Sequence, residues 1–158
     1  MELAEVNVAL PRAALDAPAM AGFVKAVGDV NWLAERSDGF VWRRRPDEGD
    51  SAPVILRPFE DEDRVIVTLS TWATYEALQK YVYRTAHALF MGRRGKWFVP
   101  LGGFTTALWW VEAGGQPSID EGLERLDHLR RKGPTPFAFS LRRLFDPGGR
   151  PVLPGRAE

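Results

Sequence analysis

From Leu3 to Leu10 the chain alternates, with Val6, Val8 and Leu10 on one face and Glu5 and Asn7 on the other, the period of two that a half-buried strand requires. From Pro18 the spacing lengthens. Met20, Phe23, Val24, Val27 and Val30 recur at helical intervals, with Asp16 placed to cap and Ser37-Asp38-Gly39 placed to stop. Phe40 to Arg44 reads as a second strand and Arg64 to Trp72 as a third, rich in β-branched residues. Thr74 is placed to cap a second helix, whose Leu78, Tyr81, Val82, Thr85 and Leu89 form one stripe while Tyr83, His87 and Phe90 lie on the next. Thr105 to Val111 resumes as a strand. A third helix begins at Ser118, where Glu121 completes a Ser-x-x-Glu capping box, and stops at Gly133-Pro134. Phe137, Phe139 and Leu141 alternate as a last short strand. The segment from Pro46 to Asp63, acidic and proline-containing, fits a lid over a site and a solvated excursion equally well.

Strand, helix, strand, strand, helix, strand is the order of the split βαβ, ferredoxin-like arrangement, an α+β fold in which both helices cover one face of an antiparallel sheet. The other face would then be open to water and should alternate with polar residues. These strands instead carry large apolar groups in both orientations: Val65, Val67 and Leu69 oppose Ile66 and Trp72, and Trp109 and Val111 oppose Leu108 and Trp110. Burial on both faces is therefore expected. A second copy packed sheet to sheet would provide it, so the pattern predicts a homodimer with a barrel-like interface. Residues 1–145 are expected to form one domain and 146–158, with little apolar surface, a mobile tail.

Composition narrows the function. The 158 residues are 45% hydrophobic with six tryptophans, enough for one real core. Lys plus Arg equals Asp plus Glu at 21 each, so no net field draws the chain to nucleic acid or anionic lipid. The absence of cysteine excludes disulfides, thiolate zinc sites and iron-sulfur clusters, and fits a cytoplasmic protein. The amino terminus lacks the regions of a signal peptide, and no apolar run is long enough to span a bilayer. No nucleophile elbow, phosphate-binding glycine loop or paired-histidine metal motif is present.

The chemistry-bearing residues concentrate between Trp72 and Phe98. Of the two histidines, His87 stands among aromatic residues, where an imidazole titrating near neutrality suits proton transfer; a buried histidine bonded to a backbone carbonyl is the competing reading. Tyr83 precedes it by one helical turn and can address the same ligand, or it can serve as a core tyrosine. His128, beside Asp127 and Arg130, reads as solvated. Trp42, Trp72, Trp97, Trp110 and Phe90 are candidates to line a pocket, although aromatic residues more often fill a core. Arg43 and Arg45 share one strand face and Arg44 the other. An arginine aimed into a pocket would offer a planar fork to a carboxylate or enolate.

Leu3-Ala-Glu-Val-Asn7, Met20-Ala-Gly-Phe23, Gly39-Phe-Val-Trp-Arg43, Leu56-Arg-Pro-Phe59, Trp72 through His87, Lys96-Trp-Phe98, Leu108-Trp-Trp-Val111 and Ala138-Phe139 together resemble a family of bacterial proteins grouped as a domain of unknown function. That family looks like part of the dimeric α+β barrel superfamily, which includes antibiotic-biosynthesis monooxygenases, polyketide cyclases and haem-degrading oxygenases. The resemblance implies a pocket between sheet and helices, and it favours Arg43 among the arginines. Three readings follow. The first is a monooxygenase-like or cyclase-like enzyme that acts without metal or nucleotide cofactor on an aromatic or polyketide-like small molecule, with His87, Arg43 and Tyr83 catalytic. The second is haem binding or degradation, since Asn7, Trp72 and His87 resemble the polar residue, tryptophan and histidine of haem-degrading oxygenases. The interval from Trp72 to His87 is longer than in those enzymes, and each added helical residue turns the side chain by about 100°. The third is a binding protein without catalysis.

Overall fold

A computed structural model describes residues 1–45, 65–83 and 93–153. Strands β1 (Glu2–Pro11), β2 (Phe40–Arg43), β3 (Ile66–Trp72), β4 (Phe98–Val99) and β5 (Thr106–Val111) form one sheet. Its order is β2-β3-β1-β5, every neighbour antiparallel, with the short β4 joined to the far end of β1. This is the ferredoxin-like order that the strand and helix sequence predicts. The long β1 is central because its alternation feeds both faces: Ala4, Val6, Val8 and Leu10 are buried on one, and Leu3 on the other.

Helix α1 (Ala21–Glu35) follows a 3-10 turn at Pro18–Met20 and has no side-chain cap, so Asp16 does not play the part its position suggested. Helix α2 (Tyr75–Tyr81) starts as predicted, the Thr74 hydroxyl accepting from the Ala77 amide. Both lie over the face that carries Leu3, Trp72 and Leu108, against which Ala34, Tyr75 and Leu78 pack. A short α3 (Arg94–Trp97) places Trp97 beside Phe23 and Met20 at the other end of that face. Gly39, with φ of +80°, turns the chain from α1 into β2; a Cβ there would sit 2.5 Å from the Ala77 Cβ. The long connection 46–64, with the expected lid or excursion, and the segment 84–92 lie outside the described residues.

The third helix of the sequence reading, here α4 (Ile119–Lys132), crosses the opposite face of the sheet. Leu126 and Leu129 pack there on Ala4, Val6, Val8, Leu69, Ala107 and Trp109. Complete burial of leucines of this kind contributes about 1.5–3 kcal/mol each. Gly122 is what lets the helix approach, since a Cβ there would lie 2.9 Å from Leu69 Cδ2 and 3.1 Å from Val6 Cγ2. The capping box is half made: Ser118 accepts from the Glu121 amide, but the Glu121 carboxylate accepts from Trp109 Nε1 at 2.9 Å instead of reaching back to the cap. Apolar residues on both sides of the sheet thus have their cause within one chain. The homodimer was expected from an uncovered second face, and α4 packs on part of that face.

Phe137 to Leu141 is not a strand. Phe139 alone makes a bridge to Leu108, and Phe137 lies under the Arg125 guanidinium, 3.9 Å from its ring centroid. Beyond it, β6 (Leu144–Phe145) and β7 (Pro151–Val152) pair as a small hairpin. Its turn is chemical rather than apolar in origin, with Asp146 Oδ1 accepting from the Arg150 amide and Gly149 at φ of +82°. Among the described residues no helix is long and apolar enough to cross a membrane.

Candidate functional site

On the face beneath α1 and α2, cross-strand partners line up in rows. Phe40, Trp72, Leu3 and Trp110 form an apolar row. The next row holds Arg43, Ser70, Glu5 and Leu108, and the one after it Thr68, Asn7 and Thr106. Ile66 and Ala9 then return the face to apolar character. Polar side chains thus cross the middle of a sheet face whose two ends are packed. Thr68 is exposed because the pairing of β2 with β3 ends at Ser70, so solvent reaches the strip there, while Asn7, Ser70 and Thr106 are half-buried.

Glu5 is the centre of this strip. Trp72 Nε1 donates to Ser70 Oγ at 3.0 Å, and Ser70 Oγ donates to Glu5 Oε2 at 3.2 Å. The direction is fixed because an indole nitrogen can only donate, which commits the hydroxyl proton of Ser70 to the carboxylate. Glu5 is half-buried. Even so, burial raises its carboxyl to about 7, against the opposing effect of the Ser70 hydrogen bond. In the neighbouring row Thr106 Oγ1 donates to Asn7 Oδ1 at 3.3 Å, which leaves the Asn7 amide protons available to a ligand.

Tyr81 closes the apolar end. Its ring stacks on Trp72 and its hydroxyl donates to the Val30 carbonyl at 3.1 Å, joining α2 to α1 above the sheet. Burial pushes its phenol up, the charge of Glu5 adds to the effect, and Arg43 opposes it. Arg43 is held by Glu35 near the end of α1, its Nε 2.7 Å from Oε1, with Arg45 on the same oxygen at 3.0 Å. That hydrogen bond from Arg43 is the main reason the Glu35 carboxyl is held below its ordinary range.

Of the residues singled out from the sequence, Asn7, Arg43 and Trp72 meet on this strip. Trp110 stands at the end of the apolar row with its Nε1 donating to the Phe145 carbonyl at 2.7 Å. Trp97 is buried with Phe23 and Met20. Trp42 is not brought to the strip: a β-bulge between Phe40 and Trp42 turns it to the α4 face while Arg43 faces the site. Tyr83 is half exposed at the end of the described part of the second helix, and it is Tyr81 that reaches the sheet. His87 and Phe90 lie outside the described residues, and with them the axial ligand of the haem reading. Among the described residues no group of three or more His, Asp or Glu could hold a metal ion. His128, expected to be solvated, bonds Thr135 Oγ1 through Nε2 at 2.9 Å and packs on Phe137, far from this strip in role.

Glu5, Ser70 and Tyr81 were not singled out from the sequence. A signal was nevertheless there. If both sheet faces are buried, a glutamate in the middle of the first strand is a buried glutamate, and such a group calls for an explanation.

No curated protein matches the chain. Among solved structures the chain is similar to SnoaB, a cofactor-independent oxygenase from Streptomyces nogalater, at 15% identity and a TM-score of 0.47, over 70% of this chain and 93% of that one. The family model of the domain of unknown function DUF3291 matches residues 2–153, and the protein belongs to that family.

Proposed function

We propose that the protein is an enzyme that acts on a small aromatic or polyketide-like molecule without a metal or nucleotide cofactor, in the cleft between the sheet and helices α1 and α2. The observation that carries the reading is the polar strip of Arg43, Ser70, Glu5, Thr68, Asn7 and Thr106 laid across an apolar sheet face and reachable from solvent at Thr68. A face that served only as core would bury apolar groups throughout, because an unpaired polar group there costs about 1–3 kcal/mol. The polar middle suits the oxygen substituents of such a molecule. Ionisation of such a molecule gives an enolate or phenolate, the species on which either oxygenation or ring closure proceeds. Fixed donors in a water-poor cleft stabilise that anion.

The test is binding of 2-tetralone, a bicyclic ketone, followed by quenching of tryptophan fluorescence. Saturable quenching by the wild-type protein, lost in Thr68→Trp, which fills the opening, is the expected result. Quenching that survives Thr68→Trp unchanged would place the ligand elsewhere and remove this reading.

A further inference from the structure

We propose that Glu5 is the proton acceptor of this site, that Ser70 and Trp72 are its positioning residues, and that the substrate is a planar carbon acid or phenol whose proton Glu5 removes. This rests on the preceding reading of the cleft and adds to it the group that performs the chemistry. The carboxylate has one oxygen committed and one without a partner among the described residues. Oε2 accepts from Ser70, which is itself oriented by Trp72 Nε1, whereas Oε1 has no partner among the described residues. A glutamate kept for structure in such a place would be paired with a cation. The cation in the same row, Arg43, is turned instead to Glu35. The near-neutral carboxyl that burial produces matches what an acid-base group needs at physiological pH.

The step balances without an oxidant. A C–H or O–H bond of the substrate breaks, its proton forms an O–H bond to Glu5 Oε1, and the electron pair stays on the substrate, delocalised onto its oxygen. Glu5 becomes a neutral carboxylic acid. The substrate anion then accepts hydrogen bonds from the Asn7 amide, two residues along the same strand face, whose carbonyl oxygen is occupied by Thr106. Taking the proton neutralises a buried charge at Glu5 as a new one forms on the ligand beside a donor, so the cleft holds a single negative charge throughout.

Exchange of the acidic methylene protons of 2-tetralone for deuterium, followed by proton NMR in oxygen-free D2O, reads this step directly. Wild-type protein should accelerate exchange, with a rate that rises through a midpoint near 7. Glu5→Gln should quench as wild type does on binding and lose the acceleration by about 100-fold or more. Ser70→Ala should keep part of the acceleration and move the midpoint upward, since the bond it removes favours the ionised carboxylate. A purely structural Ser70 would leave the midpoint where it is. Binding with exchange that is indifferent to Glu5→Gln overturns the proton-acceptor role and leaves the cleft reading standing, whereas absence of binding removes both. Should Glu5→Gln not fold, carbon-13 NMR of the wild-type glutamate carboxyls decides: a midpoint near 7 for Glu5 supports the role, and one in the ordinary carboxylate range overturns it.

Discussion

Tyr81 lies flat against Trp72, with ring centroids 4.9 Å apart and planes 27° from parallel, so the aromatic end of this sheet face is built jointly by a helix and a strand. The stack and the Tyr81 to Val30 hydrogen bond are separable. Tyr81→Phe removes only the hydrogen bond and should cost about 1 kcal/mol of unfolding free energy. Tyr81→Ala removes the ring as well and should cost about 3–5 kcal/mol. Urea unfolding of both variants checks the difference; equal losses would mean that the stack contributes nothing.

Glu5 makes stability fall as pH rises. Its folded carboxyl titrates at about 7 and its ordinary value is 4.5, so between these values the folded state holds a proton that the unfolded state has released. Below about 4.5 both states are protonated and the penalty vanishes; above about 7 it is complete, on the order of 3 kcal/mol. Glu5→Gln should therefore be more stable than wild type at pH 8, with the gap closing toward pH 4.5. Chemical denaturation of both proteins across that range is the measurement, and a gap independent of pH would show that Glu5 titrates normally.

Gly122→Ala opposes two effects. Alanine favours the helix by about 1 kcal/mol. Its Cβ, however, would stand 2.9 Å from Leu69 and 3.1 Å from Val6, under the most tightly packed part of α4. Overpacking of this kind costs about 1–3 kcal/mol. A net loss in thermal or denaturant stability is the expected outcome, and a gain would mean that α4 can lift from the sheet without cost.

Thr71 is fully buried on β3, and its hydroxyl has no hydrogen-bond partner among the described residues. Valine has the same branched shape without the polar atom. Thr71→Val should raise stability by about 1 kcal/mol, measured by the midpoint of urea unfolding at unchanged slope. A loss of stability would indicate that the hydroxyl is satisfied in solution.

Strand order and helix placement were legible because alternation and capping act locally. Val6, Val8 and Leu10 needed no distant partner to declare a face, and Thr74 and Ser118 cap as their positions required. Contacts set by tertiary geometry were not legible. That the helix from Ile119 packs on the second face of the sheet was not legible, because nothing in the local pattern of β3 and β5 says which element covers them. Phe137 and Phe139 alternated like a strand, but Arg125 over the Phe137 ring and a lone bridge at Phe139 account for both. In the site, Asn7, Arg43 and Trp72 were recognisable by chemical type. Glu5 was passed over because a glutamate opposite Val6 on an alternating strand looks like a solvated one until the covering helices are known.

The bulge in β2 has its own consequence for how this protein can vary. The ladder advances from Trp72 to Thr71 while β2 advances from Phe40 to Trp42, so Val41, which is 40% exposed, is a supernumerary residue between paired neighbours. Loss of Val41 would keep Phe40 and Arg43 on the cleft side and Trp42 on the other, whereas loss of Trp42 would leave Val41 as the only residue between them. Position 41 is therefore where a one-residue gap between relatives can fall without moving either the tryptophan or the arginine, whereas an alignment that puts the gap two places later would assign this face to the wrong arginine.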